Sequence, residues 1–185
     1  MQALGGHYMQ VTSGRQKDKA PGPADFERAG RFLNELGRRT TELGVRVVYH
    51  NHMGALSEHP EELDQLLAAT EPRFVDLLLD IAHYKQGGGD PAAAIPKLQH
   101  RLAVLHLKDV KALDPTKSAG KTYQFVELGR GSVDVPAVIA ALKKIEFRGP
   151  AVVELDAVPD KEKDTPKSCA ETNKKFVTEK LGLTL

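Results

Sequence analysis

Val75-Asp76-Leu77-Leu78-Leu79-Asp80 decides how this chain is read. The run is of strand length, almost continuously apolar, and ends on a carboxylate. A strand buried on both faces of a parallel sheet has this composition. Working outward, three more runs share the layout. Val47-Val48-Tyr49-His50 lies upstream, and Ala103-Val104-Leu105-His106 and Ala151-Val152-Val153-Glu154 lie downstream. Side chains alternate along a strand, so His50 shares a face with Val48, Asp80 with Leu78, His106 with Val104 and Glu154 with Val152. Parallel strands converging at their C-terminal ends would gather these four polar groups at one point. Two imidazoles and two carboxylates suit a divalent transition metal better than calcium or magnesium.

Helix-like segments separate the runs. Residues 6–12 read as a first strand, followed by a polar loop to residue 22. A helix over 23–43 is expected to bury Phe26, Ala29, Phe32, Leu33, Leu36 and Leu43, with Gly44 as its stop. Strands are expected at 45–50, 74–80, 102–108 and 150–155. Helices are expected at 60–69, 91–101, 134–146 and 166–181, the second of them irregular or broken at Pro96. The segment HYKQGGGD (83–90) reads as a loop. A long polar excursion follows Lys108, with FVEL (125–128) as a short extra strand.

Repeated strand–helix units argue an α/β fold with a parallel sheet. An open doubly wound sheet and a closed (β/α) barrel compete for it. No G-x-G-x-x-G fingerprint follows a strand, since GGG at 87–89 lacks the register. Polar groups at the ends of several different strands are what a barrel site requires. Five units cannot close eight strands, and such a barrel takes about 250 residues against the 185 present. The expectation is a partial TIM-type barrel supplying about five of eight units, with about three N-terminal units absent from this polypeptide. Its bare sheet edges would call for a homo-oligomer, a domain-swapped assembly or a separately supplied N-terminal part.

Composition excludes several functions. Lys plus Arg number 26 against 25 for Asp plus Glu, a net charge of +1 that offers no footprint for nucleic acid or an anionic membrane. The single cysteine, Cys169, rules out an internal disulfide framework. No apolar run reaches membrane-spanning length, and MQALGGHYMQV lacks the layout of a signal peptide. A cytoplasmic location is expected.

Other side chains cluster near the strand ends. His52 lies two residues beyond His50, has a side chain suited to proton transfer near neutral pH, and competes with the reading of a loop histidine bonded to backbone. Lys108 shares a face with His106 and could hold an oxyanion, carboxylate or phosphate. Asp109 could pair with Lys108 or with a ligand imidazole, and Arg130, between Gly129 and Gly131, could reach over the mouth of the barrel. Tyr123 and Glu127 belong to the excursion expected to form a lid or wall.

Together HNHMGALSEHPEEL (50–63), LLLDIAHYKQGGGDP (77–91), VLHLKDV (104–110), GRGSVDVPAVIAALKK (129–144) and GPAVVELD (149–156) resemble the C-terminal part of the xylose isomerase-like barrel superfamily. That group includes sugar and sugar-phosphate isomerases and epimerases, and inosose dehydratases. The resemblance implies a divalent metal (Mn, Mg, Co or Zn) held by His50, Asp80, His106 and Glu154. It implies a small keto sugar or polyol as substrate, touched by His83, whose alternative role is a hydrogen bond to Asp80. Many members have Glu-Asn-His where this chain has His50-Asn51-His52. Epimerases of the family use two metal-bound glutamates as an acid/base pair, and here only Glu154 remains. The Tyr-His-x-His context resembles the inosose dehydratase branch.

The expected activity is metal-dependent isomerisation or epimerisation, with His52, Lys108 and Glu154 as catalytic groups and His83, Arg130 and Asp109 on the substrate. Dehydration on the same scaffold and a non-catalytic partial barrel are the alternatives. An abasic-site endonuclease shares the barrel type but conflicts with the near-neutral charge.

Overall fold

The strands pair in the order in which they occur along the chain. The structure is a computed structural model describing residues 5–15 and 19–184, so residues 16–18 of the first polar loop lie outside the described residues. The strands are β1 (Tyr8–Val11), β2 (Arg46–His50), β3 (Val75–Asp80), β4 (Leu102–Leu107), β5 (Asp109–Ala112), β6 (Tyr123–Val126) and β7 (Ala151–Val153). One parallel sheet runs β1-β2-β3-β4-β7, while β5 and β6 form a separate antiparallel pair. A doubly wound sheet reverses its strand order at a switch point. Here the order never reverses, and right-handed crossovers then place every helix on one face. The result is a curled half-barrel of five units.

The two faces of the sheet are packed differently. Val47, Tyr49, Val75, Leu77, Leu79, Leu105 and Leu107 point outward into one core shared with the helices. Val48, Leu78 and Val104 point inward and form a small cluster of their own. These three are the residues that alternation places beneath His50, Asp80 and His106. Register completes the arrangement. Leu77 pairs with Leu102, but a shift between Leu77 and Leu78 sets Asp80 opposite His106. Continued in phase, Asp80 would face Leu105; the irregularity aligns the two polar groups.

Helices α1 (Pro23–Thr41), α2 (Pro60–Ala68), α3 (Ile81–Gln86), α4 (Pro91–Leu98), α5 (Val135–Lys144) and α6 (Pro166–Lys175) cover the outer face, and a π-turn at Phe176–Lys180 follows the last. The buried stripe of α1 differs from the expected one. It is Phe26, Gly30, Leu33, Gly37 and Thr40, while Phe32 is 63% and Leu43 55% exposed. The glycines explain the rotation. A Cβ on Gly30 would lie 2.3 Å from the Ala69 carbonyl oxygen, and one on Gly37 would lie 2.3 Å from that of Phe74. The helix backbone therefore packs directly on the chain leading into β3.

Three further expectations change. The segment expected as a loop after Asp80 begins with α3, because the Asp80 carboxylate accepts hydrogen bonds from the Ala82 and His83 amides and caps it. Helix α4 is not broken at Pro96, which sits inside it two residues before its end. The extra strand forms as Tyr123–Val126 and pairs with Asp109–Ala112, turning the polar excursion into a hairpin. Among the described residues no helix is long and apolar enough to cross a membrane.

Candidate metal centre

Four strand ends deliver their side chains to one place. His50, Asp80, His106 and Glu154 each offer a ligand atom, and these atoms lie within 4.8 Å of one another. His50 and Asp80 are the last residues of β2 and β3, and His106 is the penultimate residue of β4. Glu154 follows β7 directly, its amide bonded to the Leu107 carbonyl at 3.1 Å. Asp80 divides its carboxylate: Oδ1 caps α3, with both amides at 2.9 Å, and Oδ2 faces the cluster. There it meets His50 Nε2 at 3.4 Å and His106 Nδ1 at 3.6 Å.

The site itself shows whether a cation suits these groups. Among the described residues the buried His106 Nδ1 has no hydrogen-bond partner, although Glu154 Oε2 lies 2.9 Å away. A buried orphan nitrogen costs about 1–3 kcal/mol unless something fills its lone pair. A divalent ion among two imidazole nitrogens and two carboxylate oxygens would do so, and zinc, manganese and cobalt suit that donor set. In the metal-free chain a proton takes the place of the ion. Burial disfavours the His106 imidazolium, but the Asp80 and Glu154 carboxylates outweigh it and push the group up to about 9. The His106 imidazolium 2.9 Å away, aided by Lys108, lowers Glu154 to about 2. Burial alone would raise Asp80, yet His106, His50, His83 and Lys108 hold it well below the usual carboxylate range.

A second group of ligand-type side chains, His52, His83 and Asp156, adjoins the first. It does not suit a cation, because the fully buried Lys108 ammonium fills it. Nζ lies 2.7 Å from Asp156 Oδ1, 3.2 Å from Glu154 Oε2, 3.2 Å from His83 Nε2 and 4.3 Å from the centre of the Phe125 ring. Burial would discharge this lysine, but Asp80, Asp156 and Glu154 raise its pKa instead.

The two histidines of this group are held as opposite tautomers by the backbone of Met53. His52 Nδ1 lies 2.7 Å from the Met53 carbonyl oxygen, which can only accept, so Nδ1 carries hydrogen and Nε2 of the neutral ring keeps its lone pair. The Met53 amide donates to His83 Nδ1 at 3.2 Å, so the neutral His83 ring carries its hydrogen on Nε2. Burial holds His83 neutral, lowering it to about 3. The rings stack at 3.8 Å between centroids. His83 Nε2–H and the Lys108 ammonium are thus two neighbouring donors 3.2 Å apart, and an oxygen to one side, within reach of both, would satisfy them. His52 offers an acceptor beside them.

Asp109 and Arg130 stand apart. The buried Asp109 carboxylate accepts four backbone amides, from Val110, Gly129, Gly131 and Val133 at 2.8–3.0 Å, and so shapes the loop carrying Arg130. Arg130 pairs with the buried Glu127 at 2.9 Å, away from the cluster. Tyr123 lines a cavity of about 820 Å³ with Phe125, Lys121, Lys161 and Asp156. Asp156 makes this cavity border the second group, a suitable place for the body of a small substrate.

Sequence reasoning passed over three residues. Asn51 is buried and grips Asp80 on both sides, accepting from its amide at 2.9 Å and donating to its carbonyl at 3.1 Å. Its signal was its place between two histidines. Asp156 follows the same alternation as Val152 and Glu154 and could have been found that way. Gln10, on the edge strand, contacts His50 Nδ1 at 3.0 Å, and no local pattern marks it.

Comparisons with known proteins agree with the barrel-type fold. The family model described as xylose isomerase-like TIM barrel matches residues 1–175. The inosose dehydratase of Clostridium tetani (strain Massachusetts / E88) is 33% identical over 160 residues, 82% of this chain and 53% of the relative. Among solved structures, L-ribulose 3-epimerase superposes with a TM-score of 0.75 at 16% identity, over 98% of this chain and 63% of its own. The IOLI protein with a binding zinc atom gives 0.73 at 20% identity, over 96% and 64%. The chain spans about half the length of the curated relatives it matches.

Proposed function

The chain belongs to the xylose isomerase-like TIM barrel family, and on that premise we propose that it works on a keto polyol by metal-dependent dehydration. A divalent cation at His50, Asp80, His106 and Glu154 would supply Lewis-acid polarisation of the substrate carbonyl. The chain's own groups divide the remaining work. His52 Nε2, the bare acceptor, takes the proton from the carbon beside the carbonyl. Lys108 and His83 Nε2–H hold the hydroxyl oxygen on the next carbon. As its carbon–oxygen bond breaks, that oxygen takes a proton from Lys108 and departs as water, leaving a carbon–carbon double bond conjugated to the carbonyl. Glu154, lowered to about 2, is a poor base and serves as a holder.

One observation carries this reading: an acceptor and two donors are fixed side by side, with His52 and His83 set in opposite tautomers by one residue's backbone. Elimination needs unlike groups of this kind. The identity to an inosose dehydratase supports it, as does the zinc in the IOLI structure. Isomerisation or epimerisation is the second reading. It shares the first proton transfer, and the likeness in fold to an epimerase favours it, but His50 stands where the second carboxylate of an epimerase pair would be. Among the described residues, edge strands β1 and β7 each have one neighbour, which supports a working form assembled from more than one copy or segment.

The test is direct. The chain loaded with Zn²⁺, Mn²⁺ or Co²⁺ is given a cyclic keto-polyol and, separately, a panel of ketoses. Growth of enone absorbance with the keto-polyol is expected. Ketose interconversion without enone would establish the second reading, and cation binding without turnover of either would make the chain a non-catalytic barrel fragment.

A further inference from the structure

We propose that the cavity bordered by Tyr123 ends in an anion-binding subsite made by Lys121 and Lys161, so that the substrate is a keto polyol carrying a phosphate or carboxylate away from its carbonyl. The inference deepens the dehydration reading above and rests on it for the end of the substrate that meets Lys108. Lys121, Tyr123 and Phe125 stand two residues apart, the last two in strand β6. Alternation sends such residues to one side, and all three line the cavity of about 820 Å³. Together they make a ladder. At its inner end the Phe125 ring lies 4.3 Å from Lys108 Nζ and 4.7 Å from the His83 ring. The Tyr123 ring follows, 5.4 Å from that of Phe125, and Lys121 forms the outer end. Four residues of extended chain span about 13 Å, so a ligand that touches both ends is several carbons long. Lys161 lines the same cavity from the segment after β7, and the Gln124 amide, donating to the Pro159 carbonyl at 2.7 Å, ties that segment to β6.

The charge of this lining is not balanced. Among the described residues neither Lys121 nor Lys161 has a carboxylate partner, whereas Lys117 pairs with Asp114 at 3.8 Å and Lys163 with Asp160 at 2.8 Å. The cavity has one carboxylate, Asp156, which is already paired with the Lys108 ammonium at 2.7 Å. Two uncompensated cations therefore line one opening. The adjoining cavity of about 610 Å³, which also touches Lys161, sets four cations against four carboxylates and has no such excess. Lysine is a point charge on a flexible stem, suited to a phosphate or carboxylate that arrives with the substrate.

The Zn²⁺-loaded chain tests this with fructose, fructose 6-phosphate and fructuronate, one keto-polyol chain ending in an alcohol, a phosphate or a carboxylate. Dissociation constants are measured by calorimetry for wild type, the Lys121→Met/Lys161→Met pair and the Lys121→Arg/Lys161→Arg pair. In water, one ammonium about 4 Å from a unit anion contributes about a fivefold factor. Wild type is therefore expected to prefer an anionic form over fructose by about 25-fold. The methionine pair should lose that ratio and the arginine pair keep it. The preference should shrink as salt rises toward about 1 M. A larger ratio for fructose 6-phosphate would make the substrate a phosphate ester, and a larger one for fructuronate would make it a sugar acid. Both lysines are exposed, so circular dichroism should show both pairs folded. Equal affinity of wild type for all three probes, or a preference that the methionine pair retains, would overturn the proposal. A lysine-dependent preference without enone from any keto polyol would leave the subsite standing and remove the dehydration reading.

Discussion

Two groups of nearly identical composition lie side by side at the strand ends, and their surroundings differ. His50, Asp80, His106 and Glu154 leave a buried nitrogen without a partner and turn their lone pairs toward a common point. In the group of His52, His83 and Asp156, an ammonium already lies against His83 and Asp156. Residue types alone would assign a cation to both. The single buried Lys108 separates a site that can hold a metal from a site that can handle protons.

Substitutions can break this contrast. The largest effect is expected at Lys108. Lys108→Met should lower turnover by about 10²–10⁴-fold in the enone assay, while Zn²⁺ affinity by calorimetry stays level or rises, because a positive charge has left. Equal loss of both would merge the groups into one. Next comes Asp80→Asn, which keeps an acceptor to cap α3 but removes the inward charge. Zn²⁺ affinity should fall by more than about 100-fold, above the cost of losing an outer partner, and a smaller drop would remove Asp80 from the ligands.

Proton release follows in size. His106, at about 9, is imidazolium near neutrality and must lose its proton to a cation. Affinity should therefore rise toward tenfold per pH unit from neutrality to about 9 and then level. Calorimetry in buffers of different ionisation enthalpy should count about one proton released, and a flat profile would show that His106 does not ligate. The smallest effect on either group is expected from Asp109→Asn. Loss of amide contacts should cost about 1–3 kcal/mol of stability by urea unfolding, with Zn²⁺ affinity unchanged. A change in affinity would return Asp109 to the site.

The strand ends were legible because alternation is a strong signal in short apolar runs. His50, Asp80, His106 and Glu154 could each be set above an apolar partner, and Val48, Leu78 and Val104 indeed form the inner cluster. Less legible was whatever depends on packing at close range. The buried face of α1 is set by Gly30 and Gly37, which carry no hydrophobic signal, so Phe32 and Leu43 were read as core. Asp109 was read as a partner of Lys108 or of a ligand imidazole and as a substrate contact, since four amides from residues 110–133 cannot be seen in local sequence. Tautomers were beyond reach, because they follow from which backbone atom each ring meets.

The grip of Asn51 on Asp80 has a consequence for folding. A parallel strand that slips by one position turns every side chain to the opposite face. With β2 and β3 misaligned in this way, the Asn51 carboxamide could not close both of its bonds to the main chain of Asp80. The same side chain thus acts as a proofreading clasp: an assembly error between the two strands forfeits both contacts at once, and only the native alignment is rewarded.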